Sequence, residues 1–130
     1  MNLFKQNYKV TLVIIIGLVS YIYNQKIYRP KVYSIRESNE YLIFILGVLP
    51  NFIGAIITFS TFILLFKILY NQKSFRQNMV QSAIWTISLV VFMELERLKN
   101  GEIRFDFFDI VASIIGISFC FVLYKKGVTN

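Results

Sequence analysis

The chain has 130 residues, 56% of them hydrophobic and only 16% charged, with a mean hydropathy of +0.59 and a net charge of +7. A soluble domain carries about 25% charged residues, so the composition excludes that class and leaves a single integral membrane domain over 1–130. The positive charge does not argue for nucleic acid, because the lysines and arginines flank apolar runs instead of lining one face; membrane lipids are the partner they point to.

The first apolar run, Val10 to Tyr23, follows Lys5 and Lys9. This order resembles the charged and apolar regions of a signal peptide, but no small-residue cleavage site follows, so an uncleaved signal anchor spanning roughly 9–25 is expected. The second run, Tyr41 to Tyr70, is interrupted by Leu49-Pro50-Asn51. Proline lacks an amide donor and disfavours helix in the residue before it. The expected span is therefore 50–69, with residues 41–49 as a short interfacial or re-entrant piece before it. The third run ends in Glu94-Leu95-Glu96-Arg97 and predicts a span over 78–96. The fourth opens through Arg104-Phe105-Asp106 and predicts a span over 106–124. The fold class expected is an all-α bundle of four transmembrane helices with short connections.

Lysine and arginine counts do not orient this bundle. Seven stand on the side of the termini and of Lys67, Lys73 and Arg76, and seven stand on the other side. All seven acidic residues fall on that second side, Glu37 and Glu40 before the second run, and Glu94, Glu96, Glu102, Asp106 and Asp109 between the third and fourth. With Lys5 and Lys9 preceding the first span, the expected orientation is both termini cytoplasmic in a bacterial inner membrane.

Chemistry is restricted by what the chain lacks. It has no histidine, which removes His-based triads, His metal ligands and His proton shuttles; no metal or cofactor is expected. Its single cysteine, Cys120, lies in an apolar run and reads as a small packed hydrophobe. The basic cluster Lys26, Arg29, Lys31 and Arg36 reads as a headgroup contact. Carboxylates near hydrocarbon are costly and mark candidate sites. Glu94 closes an apolar run, and the face beneath it (Val90, Ile87, Ala83) is apolar, so within its helix only Arg97 is a polar neighbour. Asp106, Asp109, Ser113 and Gly116 form a stripe of polar and small residues on the fourth helix. Packing that stripe against Glu94 would let Glu94 and Asp109 share Arg97 or Arg104. Asp106 reads as a helix cap, and Glu96 and Glu102 as solvated loop charges. Glu94 and Asp109 fit a structural ion cluster and a functional site equally well. Paired carboxylates could exchange protons, but no nucleophile accompanies them, so catalysis is disfavoured.

The run Glu94-x-x-Arg97, Arg104-x-Asp106-x-x-Asp109, Ser113-x-x-Gly116 resembles the C-terminal signature of VanZ-like membrane proteins, and Leu49-Pro50-Asn51 fits the start of their preceding helix. The resemblance covers about Leu49 to Tyr124. The family more often has Gln at the position of Arg97 and Asn at that of Ser113, and Arg104 stands one residue closer to Asp106. The resemblance implies a small polytopic protein of the bacterial cell envelope; some relatives are linked to glycopeptide antibiotic tolerance. The expected function is non-catalytic binding of a lipid, a lipid-linked precursor or a partner through Glu94, Arg97, Arg104, Asp106, Asp109 and Ser113. The alternatives are an accessory subunit of a larger membrane complex and a membrane immunity protein.

Overall fold

The computed structural model describes residues 3–35, 39–70, 72, 74–100 and 106–125. These residues are helical throughout their ordered elements: α1 (Leu3–Tyr23), a π-helical segment (Asn24–Tyr28), α2 (Arg29–Tyr33), α3 (Glu40–Leu69), α4 (Phe75–Lys99) and α5 (Phe107–Lys125). Four helical runs are long and apolar enough to cross a membrane, the first of them being 7–33 through the π segment, so the chain is a multi-pass membrane protein.

The first run is longer than the expected 9–25. Pro30 has no amide donor and its ring crowds the preceding turn. Just before it the helix widens, with Arg29 N–H donating to Asn24 O, and then resumes as α2. The extension is the polar end of the helix. Arg29 bonds Gln25 Oε1 at 3.3 Å and the Tyr33 hydroxyl at 3.2 Å, and its guanidinium lies 5.3 Å from the Tyr33 ring centre.

The second run departs from expectation more sharply. Residues 41–49 are not a separate interfacial or re-entrant piece; they belong to α3, which runs unbroken for 30 residues with Pro50 inside it. Asn39 starts the helix in extended conformation, its side chain accepting the Tyr41 N–H at 3.0 Å. The balance of orphan groups explains the continuity. Proline at position 50 deprives one carbonyl, that of Leu46, of its partner, whereas ending the helix there would orphan four. Leu46 and Pro50 are both buried in the bundle, the setting in which membrane helices accommodate proline. At 1.5 Å per residue α3 is about 45 Å long, so it is tilted or reaches into the headgroups.

Helices α4 and α5 lie within three residues of the expected 78–96 and 106–124. A capping box opens α4: Ser74 Oγ accepts the Gln77 N–H at 3.3 Å and Gln77 Oε1 accepts the Ser74 N–H at 3.0 Å.

Helix α3 is the hub. Among the described residues α1, α4 and α5 all pack on it, α4 and α5 also meet each other, and α1 comes close to neither. The Asn7–Lys67 hydrogen bond and the contact of Gly17 with Ile57 set α1 antiparallel to α3. That register brings Asn24 level with Pro50. Asn24 is buried, and its amide has no hydrogen-bond partner. Helix α5 runs parallel to α3: Phe108 packs edge-on against Phe44, Gly116 lies against the Phe52 carbonyl, and the Tyr124 and Ser60 hydroxyls bond at 2.8 Å. The core sits toward the end where α1 starts and α5 finishes, built from Val10, Ala55, Ile56, Phe59, Ile63, Met79, Ile117, Cys120 and Tyr124. Helix α4 turns three buried uncharged polar residues inward, Asn78, Ser82 and Thr86, besides Glu94. The Ser82 and Thr86 hydroxyls bond back to the carbonyls of Asn78 and Ser82 at 2.6 and 2.8 Å.

Candidate functional site

At the opposite end, the last turn of α4 meets the first turn of α5. Glu94 faces inward from α4 and is only 4% exposed; Asp109 faces inward from α5 and is 7% exposed. One guanidinium nitrogen, Nη1 of Arg97, stands 2.8 Å from Glu94 Oε1 and 3.3 Å from Asp109 Oδ2. The i, i+3 spacing places Arg97 one turn beyond Glu94, on the same face, and its long stem carries the charge across to α5. The second oxygen of Glu94 accepts the Asp106 N–H at 3.3 Å, so Glu94 also fixes the chain where it enters α5. Asp106 is exposed and caps α5, accepting the Phe108 N–H on Oδ1 at 2.9 Å. The Arg97 side chain is half exposed while both of its acid partners are buried.

The arrangement therefore joins Glu94, Arg97, Asp109 and, through its backbone, Asp106. Arg104 lies outside the described residues, so of the two arginines weighed from the sequence Arg97 is the one seen in the cluster. Ser113 is buried and turns to its own helix, donating to the Asp109 carbonyl at 2.8 Å. The polar and small stripe of α5 divides accordingly: Asp109 faces α4, whereas Gly116 lies against the backbone of α3. The expectation that the whole stripe packs on the Glu94 face is corrected by the position of α3, which occupies the lower part of that surface. Sequence reasoning also missed Asn51, whose side chain lies beside the Asp109 carboxylate from α3. An asparagine embedded in an apolar run is the available signal.

Chemically, the mouth sets three carboxylates against one guanidinium among the described residues. Burial of Glu94 and Asp109 makes their pairing with Arg97 necessary, since an unpaired buried carboxylate costs several kcal/mol, of the order ~3–5 when a partner is removed. The surplus of acceptors suits a group bearing hydroxyl, amide or ammonium donors.

No family model, curated protein sequence or solved structure matches the chain. The VanZ-like resemblance accordingly rests on the sequence alone, on Leu49-Pro50-Asn51 and the polar and small residues from Glu94 to Gly116.

Proposed function

We propose that this chain is a small VanZ-like protein of the bacterial inner membrane that binds a lipid or lipid-linked precursor, without catalysis, at the mouth formed by Glu94, Arg97, Asp106 and Asp109. The observation that carries the reading is the sharing of one half-exposed guanidinium by two buried carboxylates from different helices. Such a cluster is costly in hydrocarbon, and a purely mechanical joint between α4 and α5 could be made of apolar side chains at lower cost. Purification in a mild detergent, with mass spectrometry of whatever co-purifies, tests it. Wild-type protein should retain a lipid that Glu94→Gln loses, while the variant stays folded, because the single glutamine oxygen can still accept from Arg97 and only the Asp106 N–H contact is given up. Equal lipid retention by the two proteins, or loss of folding in Glu94→Gln, would refute the binding role.

The second reading is an accessory subunit of a larger membrane complex. It is favoured by α1, which among the described residues packs on no other spanning helix than α3 and leaves Ile15, Ile16, Val19 and Ile22 exposed. A stoichiometric protein in the same purification would favour it over the lipid reading.

The start of α1 and the end of α5 lie at the same end of the bundle, and we place that end in the cytoplasm. In a Cys120→Ser background, Asn100→Cys should react with an impermeant thiol reagent added to intact cells. Reaction only after the membrane is opened would invert the orientation.

A further inference from the structure

We propose that a groove between α1 and α3, at the end opposite the Glu94–Asp109 mouth, binds the phosphate of an anionic phospholipid, with Lys67 as its cationic contact. The groove encloses about 440 Å³ and is lined by Asn7, Thr11, Leu64, Lys67 and Ile68. Lys67 does not extend away from the bundle as an interfacial lysine usually does. It is half-buried, and its Nζ donates to Asn7 Oδ1 at 2.6 Å, which turns the ammonium into the groove. Thr11 bonds the Asn7 carbonyl at 2.9 Å and closes that wall with its own helix. Accepting from Lys67 leaves the Asn7 amide nitrogen as a second donor on the same side.

Charge complementarity decides the occupant. Among the described residues no carboxylate pairs with Lys67, and the described helix ends here carry Lys5, Lys9, Lys67, Arg76 and Lys125 without a single acid. Basic pockets between helices at a membrane surface take anionic headgroups. The walls favour a lipid over a soluble phosphate, because Leu64, nearly one turn from Lys67 on the membrane side, gives the groove an apolar wall against which an acyl chain can lie. The site is independent of the mouth: it uses other residues, another helix pair and the other end of the bundle.

Native mass spectrometry of the purified chain in mixed phosphatidylglycerol and phosphatidylcholine micelles tests the proposal. Wild-type protein should hold one phosphatidylglycerol in preference to phosphatidylcholine. Lys67→Gln should weaken that preference about fivefold, the change expected for one lysine near the surface. Lys9→Gln and Arg76→Gln, which remove a charge from the same end but lie outside the groove, should leave it unchanged. Thr11→Phe fills the groove without touching the lysine and should also abolish the preference, which covers the case in which Lys67→Gln fails to fold. Three results would overturn the proposal: no preference for phosphatidylglycerol in wild type, equal losses in Lys67→Gln and Lys9→Gln, or competition by glycerol 3-phosphate as effective as that by the lipid.

Discussion

Arg97→Leu is expected to lower the unfolding free energy of the protein in micelles by about 2–3 kcal/mol. Removing one member of a buried ion pair typically costs ~3–5 kcal/mol, because the other is left charged and unpaired. Here two carboxylates lose their partner at once, but half of the Arg97 side chain is already in contact with solvent, and water entering at that side reduces the penalty. The double variant Arg97→Leu with Asp109→Asn should recover part of the loss, since the second change removes one of the two stranded charges. Lys99→Leu, an exposed position on the same last turn, serves as the comparison and should change stability by less than about 0.5 kcal/mol. Equilibrium unfolding of the four proteins measures this, and an Arg97→Leu effect as small as that of Lys99→Leu would show that the cluster contributes nothing to holding α4 and α5 together.

Gly116→Ala should destabilise the bundle by about 1–3 kcal/mol, the range of an overpacked core. A Cβ at that position would stand 2.7 Å from the Phe52 carbonyl oxygen and 3.4 Å from both Ile56 Cγ1 and Phe52 Cδ2. The first obstacle is backbone, so no side-chain rotation relieves it and α3 and α5 must separate. Close approach of this kind is why small residues recur where membrane helices cross. Gly47→Ala and Gly54→Ala, in α3 itself, meet nothing within 4 Å and should instead stabilise by roughly 0.5–1 kcal/mol through reduced backbone freedom in the unfolded chain. Opposite signs at glycines of the same bundle would be visible as opposite shifts in melting temperature. A neutral Gly116→Ala would mean that α3 and α5 are not in contact there.

The number of spans was legible in the sequence because apolar length alone decides it; hydrocarbon about 30 Å thick leaves a chain little choice. The pairing of Glu94 with Asp109 through an arginine was also legible, since isolated carboxylates beside apolar runs must find a cation, but the sequence left Arg97 and Arg104 as equal choices. Pro50 misled because rules for proline come from helices in water, where a broken end can be hydrated; in a bundle within lipid it cannot, so α3 continues. The positions of Ser113 and Gly116 relative to their neighbours depended on which helix occupies the centre, and hydropathy carries no information about that. Asn24 and Asn51 were passed over for the same reason: an amide in an apolar run shows that something polar matters there, but its partner is fixed only by the packing of another helix.

The central place of α3 bears on the order in which the molecule can assemble. Of the described helices α1 is synthesised first, yet its only described neighbour among the other spans is α3. From Tyr33 at the end of the first run to Leu69 at the end of α3 is 36 residues, which at roughly 5–20 residues per second takes about 2–7 s to synthesise. For that interval α1 resides alone in lipid, with the Asn24 amide and the flat surface of Gly17 uncovered. Helices α4 and α5 arrive later still, and each must find α3 already in place. Closure of the bundle thus begins with its second span, and a chain truncated before Leu69 would leave α1 without a complete surface to fold against.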